Sequence, residues 1–174
     1  MNLISQRLRL RPFRLADIDS TYLGWLNDSE VTRFSNQRFR EHTTQSCSAY
    51  LQSFEESSNS FLMIEQVDGM RPVGTATVYR KIFHGTADIG LMIGNKLCWG
   101  RGYGCEAWQA ILNALLTEPG IRKVTGGTAR SNLAMLRIME KSGMELEAVH
   151  SAQELIDGQP VDLLYYARFA ESAT

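Results

Sequence analysis

The sequence lacks the features that mark several common classes of protein. Its 174 residues include three cysteines, Cys47, Cys98 and Cys105, with no Cys-x-x-Cys pair. An odd, scattered set excludes a disulfide framework and a zinc ribbon. The three histidines, His42, His84 and His150, stand too far apart for metal-ligand spacing, so no metal is expected. No apolar run approaches the ~18–20 residues of a membrane span, and no charged head precedes an apolar stretch at the start. The expectation is a cytoplasmic chain with reduced thiols and no membrane partner. A charge excess is also missing: 18 basic and 19 acidic side chains leave a net charge of −1. That balance argues against a nucleic-acid partner. The one basic cluster, Arg7, Arg9, Arg11 and Arg14, alternates as the solvated face of a strand would. Repeats and low-complexity segments are absent. What remains is an ordinary globular composition, 44% hydrophobic, at a length that suits one domain over 1–174.

The periodicity along the chain changes several times. Residues 6–14 alternate, with Leu8 and Leu10 on one side, which predicts a half-buried strand. Leu15, Ile18, Tyr22, Trp25 and Leu26 fall on one helical face. A short helix is expected from Glu30 to Phe34, then loop over 35–42. A second helix follows, capped by Thr43 or Thr44, with Cys47, Tyr50, Leu51 and Phe54 inward. Strands are expected at Phe61 to Val67, Val73 to Lys81 and Thr86 to Gly94, with turns at Asp68-Gly69 and His84-Gly85. A helix begins after Gly104 and ends at Pro119-Gly120. Arg122 to Arg130 reads as a strand. Ser131 or Asn132 caps a last helix, which Gly143 closes. Asp157-Gly158 marks a hairpin between Met144 to Ile156 and Gln159 to Phe169. The order predicts an α/β (α+β) domain with a mixed, mostly antiparallel sheet flanked by helices and one parallel step within Thr86 to Arg130.

The stretch Trp99-Gly100-Arg101-Gly102-Tyr103-Gly104 lies at the strand-to-helix junction. A helix N-terminus offers unpaired N–H groups and partial positive charge, and glycines let the backbone approach an anion. A phosphate cradle and a merely flexible turn both fit, and three alternating glycines favour the cradle. Gly102-x-Gly104-x-x-Ala107 superficially fits a dinucleotide fingerprint. No Asp or Glu stands between Val124 and Met139 to serve a ribose, and no Gly-Lys-Ser/Thr is present for a P-loop.

The run Ala87 to Gly94 followed by Trp99 to Ala107 resembles the acyl-CoA motif of the GNAT N-acetyltransferases. Gly102 and Gly104 match the glycines of the family's Gln/Arg-x-x-Gly-x-Gly/Ala pattern, while Trp99 stands at the Gln/Arg position. Asn132 to Met144 is similar to the family's next motif through Asn132, Lys141 and Gly143, with Met144 in place of an aromatic residue. Tyr22 to Asp28 and the Asp157-Gly158 hairpin look like a branch containing ribosomal-protein N-terminal acetyltransferases and nucleotide-amino-sugar acetyltransferases.

The resemblance implies the GNAT fold and acetyl-CoA as co-substrate, with direct attack of a primary amine on the thioester. The acceptor would be a small-molecule amine or a protein N-terminus. It implies a cofactor site made of Leu91, Met92, Ile93, Trp99, Gly100, Arg101, Gly102, Tyr103, Gly104 and Asn132. For the base, Asp88 matches the position of a catalytic Glu in the histone-acetyltransferase branch; a structural carboxylate is the alternative. His84 is the second candidate, against an exposed turn histidine. Asn132 serves the pantetheine, the helix cap, or both. Met139 and Met135 occupy the positions where relatives carry a Tyr or Ser proton donor. Cys105 at a helix start suits either a thiolate nucleophile or small-residue packing. Two other readings stay open: a non-catalytic acyl-CoA-binding module and a dinucleotide site. Homodimers through edge strands are common in this fold, which leaves the oligomeric state open.

Overall fold

The computed structural model describes residues 1–171. The N-terminal segment forms β1 (Leu3–Ile4) and β2 (Leu8–Pro12), then a short 3-10 turn at Leu15–Asp17 and α1 (Ser20–Leu26). Asp19 caps α1, its Oδ1 accepting from the Tyr22 N–H at 2.9 Å. Leu15 lies outside the expected helical face and is exposed. Residues 30–34 form turns rather than the expected short helix, and a 3-10 helix at Asn36–Phe39 occupies part of the expected loop. Asp28 is the cause: its carboxylate accepts from the Glu30 N–H, and its carbonyl takes the Thr32 N–H and hydroxyl, which ties off a turn.

α2 (Thr44–Glu55) opens with a reciprocal capping box between Thr43 and Ser46. Then come β3 (Ser60–Gln66), β4 (Pro72–Lys81), β5 (Thr86–Met92), α3 (Tyr103–Leu116), β6 (Lys123–Ala129), α4 (Leu133–Lys141), β7 (Glu145–Ile156) and β8 (Gln159–Phe169). The strands form one eight-stranded sheet in the order β1-β2-β3-β4-β5-β6-β8-β7. Every neighbouring pair is antiparallel except β5 and β6. The single parallel step follows because α3 carries the chain across one face between them.

The sheet is buried on both faces. Leu62 and Ile64 of β3 join Trp108, Ile111, Leu112 and Leu115 of α3 in the larger core. Phe61 and Met63, pointing the other way, join Tyr22 and Trp25 of α1 and Cys47, Leu51 and Phe54 of α2. Tyr22 and Trp25 are therefore core residues. The two glycines inside β6 answer to opposite faces. A Cβ on Gly126 would lie 2.5 Å from the Trp108 ring, and one on Gly127 would lie 2.8 Å from the Tyr165 ring.

Candidate active site

β5 and β6 pair only from Thr86 to Asp88, opposite Lys123 to Thr125. Beyond that point β5 stays on β4 through Met92, while β6 stays on β8 through Ala129. The strands part, and the β5 edge from Ile89 onward has no ladder partner on the β6 side among the described residues. Backbone donors and acceptors on that edge are available to a ligand. Leu91, Met92 and Ile93 lie here, half-buried. The Ile93 carbonyl is engaged: the Trp99 indole N–H donates to it at 2.7 Å. Trp99, which departs from the family pattern, thus ties the end of β5 to the Gly-rich turn.

That turn lies at the end of the sheet where the gap opens. Gly100 (φ 71°) and Gly102 (φ 80°) adopt left-handed conformations, and Gly102 is the residue before α3. The first N–H of α3 paired back along the helix is that of Glu106, to the Gly102 carbonyl at 3.0 Å. The N–H groups of Tyr103, Gly104 and Cys105 therefore have no acceptor four residues back. A Cβ on Gly104 would sit 3.1 Å from Ile138 Cδ1 and 3.4 Å from Ile93 Cγ1, so glycine lets the helix start lie close against α4 and the end of β5.

A clamp from the N-terminal strands holds this turn. The Glu106 carboxylate accepts from the Ser5 hydroxyl at 2.7 Å, the Arg7 N–H at 2.7 Å and Arg7 Nε at 2.6 Å. Arg7 Nη1 donates to the Arg101 carbonyl at 3.0 Å, and the guanidinium lies 4.5 Å over the Tyr103 ring. Burial pushes the Glu106 carboxyl up, but bonds from Ser5 and Arg7 outweigh it and hold the group below its ordinary range. The arginine face reaches solvent at Arg7 and Arg14, as expected, and is half-buried at Arg9 and Arg11. Arg7 is clamped to Glu106, and Arg9 and Arg11 pair with the buried Glu65, because β2 runs beside β3 and under the start of α3.

Asp88 stands where the strands part. Its Oδ2 accepts from the Thr125 hydroxyl at 2.7 Å. Burial pushes its carboxyl above the ordinary range; the Thr125 hydrogen bond and the charge of Lys81 oppose this. Asp88 lines a cavity of about 270 Å³ with Phe34 and Asn36 from the early turn region and Glu154, Ile156, Leu163 and Tyr165 from the last hairpin. Arg38 and Arg33 draw these two regions together. Arg38 donates to the Leu155 carbonyl at 2.9 Å and pairs with Glu154 at 3.6 Å, while Arg33 pairs with Asp157 at 2.6 Å. A larger cavity of about 400 Å³ lies elsewhere, walled by the Arg80–Glu118 ion pair and Pro119 to Ile121. None of the candidate site residues lines it.

His84 is exposed at the opposite, N-terminal end of β5 and does not line the Asp88 cavity; its carbonyl accepts from Arg122. The structure therefore separates the two base candidates. Asn132 caps α4, its Oδ1 accepting from the Met135 N–H at 3.3 Å and its Nδ2 donating to Thr128 Oγ1 at 3.0 Å. Met139 is fully buried against Gly126. Cys98 is buried and Cys105 half-buried, and no cysteine forms a disulfide. Among the described residues no group of three His, Cys, Asp or Glu side chains gathers to hold a metal ion. Among them, too, no helix is long and apolar enough to cross a membrane.

Three elements of this site escaped the sequence reading: Thr125, Tyr165 and the Arg7–Glu106 clamp. Each depends on pairings between distant segments. The one local signal was the Gly126-Gly127 pair, which marks rings lying on both faces of β6.

Several known proteins share this architecture. A structure of a GNAT-family acetyltransferase from Bacillus anthracis superposes with a TM-score of 0.84 at 22% identity, covering 99% of this chain and 100% of that one. A ribosomal L7/L12 alpha-N-protein acetyltransferase in complex with coenzyme A gives 0.84 at 16% identity, covering 97% and 98%. Spermidine N-acetyltransferase from Vibrio cholerae, in complex with CoA and spermine, gives 0.83 at 15% identity, covering 95% and 97%. Among curated proteins, an uncharacterized N-acetyltransferase of Bacillus subtilis (strain 168) is 24% identical over 147 residues, 84% of each chain. At these identities the solved structures speak for the fold alone. The model of the acetyltransferase (GNAT) domain matches residues 7–145, spanning β2, the parted strands, the glycine turn and the Asn132 helix, and the chain belongs to that acetyltransferase family.

Proposed function

We propose that residues 1–174 act as one acetyl-CoA-dependent N-acetyltransferase domain, moving the acetyl group to a primary amine by direct attack on the thioester. The observation that carries this reading is the parting of β5 from β6 just beyond Asp88, with the glycine turn and the start of α3 at the open end. The residues fit the co-substrate: left-handed Gly102 and close-packed Gly104 leave a cradle that a Cβ would strain or crowd. The N–H groups of Tyr103 and Gly104 face the pyrophosphate there. The free edge of β5 at Leu91 and Met92 and the Ile93 N–H bind the pantetheine arm, and one N–H of that edge stabilises the oxyanion. Asp88 accepts the amine proton, directly or through one water. Asn132 keeps its capping bond and presents its amide near the sulfur.

Coenzyme A in the ribosomal-protein enzyme and in the spermidine enzyme supports the choice of co-substrate. The acceptors those names carry, a protein N-terminus and a polyamine, are both primary amines, and the cavity beside Asp88 is where this chain would admit one. A non-catalytic acyl-CoA-binding module is the second reading, favoured by Met135 and Met139 at the usual proton-donor positions. One assay separates them. With acetyl-CoA and a panel of small amines and N-terminal peptides, the first reading predicts amine-dependent thiol release with turnover. Binding of CoA with no release on any amine would favour the module.

A further inference from the structure

The positions where relatives carry a proton donor hold Met135 and Met139, and Met139 is sealed in the core. The departing thiolate would have to find its proton elsewhere. Among the side chains lining the Asp88 cavity, Thr128 is buried and its Oγ1 accepts from Asn132 Nδ2. Tyr165 differs: its hydroxyl makes no hydrogen bond to the described residues, and its ring leaves β8 in a defined direction. Tyr165 of β8 is the ladder partner of Gly127 of β6, the strand that stands between β8 and β5. A Cβ at Gly127 would meet Tyr165 Cε1 at 2.8 Å, Cδ1 at 3.0 Å and Cζ at 3.5 Å. The ring therefore lies over β6 at Gly127, and Tyr165 lines the same cavity as Asp88. His150 sits against the ring at a centroid distance of 5.1 Å. Glycine at 127 is what permits this crossing.

We propose that Tyr165 is the proton donor to the leaving sulfur, a role resting on the acetyl-transfer reading above. The amine nitrogen bonds to the acetyl carbon and the carbon–sulfur bond breaks. Asp88 takes the proton the amine loses, and the Tyr165 hydroxyl gives one to the sulfur. The phenolate is then reprotonated, from Asp88 or solvent, so one proton is lost by the amine and one gained by the thiol. The titratable groups facing Tyr165 are Asp88 and Glu154 across the cavity and His150 against its ring.

The test compares Tyr165→Phe with the wild type in steady-state thiol release on the best amine, across pH. Because the hydroxyl bonds to nothing else described, the variant should keep its thermal midpoint. The expected result is a fall in kcat of about a hundredfold with KM for acetyl-CoA unchanged. Unimpaired kcat in Tyr165→Phe overturns the proposal, as does a change confined to KM for the amine, which would make Tyr165 a binding residue only. A wild type that releases no thiol with any amine overturns the acetyl-transfer reading itself, and is seen before any variant is compared.

Discussion

Asp88 combines burial with a single neutral hydrogen-bond donor, and both facts bear on pH. Burial raises its pKa, so the folded chain disfavours the ionised form. With the folded value above the unfolded one, Asp88 costs stability at neutral pH, and that cost disappears as pH falls through the folded pKa. Asp88→Asn should therefore lose most of its turnover at pH 7, recover part of it at high pH where the amine is already neutral, and unfold no more easily than the wild type. Paired rate and melting measurements check all three; full activity in the variant would remove Asp88 as the base. Thr125→Val takes away a bond that favours the carboxylate, so the acidic limb of kcat/KM should move to higher pH. The place of Asp88 on the strand that leads to the glycine turn was legible in the sequence because that order is local to the chain. Thr125 was not, because only the three-residue parallel pairing of β5 with β6 brings it within 2.7 Å.

The elements were mostly legible because their signals are local. Thr43, Asn132 and Asp157-Gly158 each cap or turn the chain as the residue types dictate. The failures were also local in cause. The periodicity at 30–34 gave way to the hydrogen bonds of Asp28. β7 is interrupted by a bulge between His150 and Glu154, where Ala152 (φ 52°) donates its N–H to Asp162 Oδ1 at 2.9 Å. The pairing of β6 with its two coverings gives a stability prediction. Gly126→Val drives a side chain into Trp108, where a Cβ alone would sit 2.5 Å away, and should cost about 1–3 kcal/mol in denaturant unfolding. Gly102→Val strains a left-handed residue in the cradle itself. It should weaken CoA binding by more than its effect on stability explains, as titration calorimetry beside a melt would show.

At the scale of the whole molecule, the first strands and the first turn of α3 form one assembly. Arg7 and Glu106 are 99 residues apart and joined by two bonds of 2.6–2.7 Å, a link that no window of sequence contains. Because the Glu106 pKa is lowered, the stability it contributes is present above the ordinary carboxylate range and lost as pH falls through its folded value. Glu106→Gln should loosen the glycine turn and reduce CoA affinity at neutral pH. The cradle is the foundation of the account, and thermal unfolding with acetyl-CoA, CoA, NAD and ATP in separate samples tests it most directly. Acetyl-CoA and CoA at about one hundred times their Kd should each stabilise the chain by about 2.7 kcal/mol, while NAD and ATP leave it unmoved. Stabilisation by NAD alone, or none by either CoA species, would contradict the account.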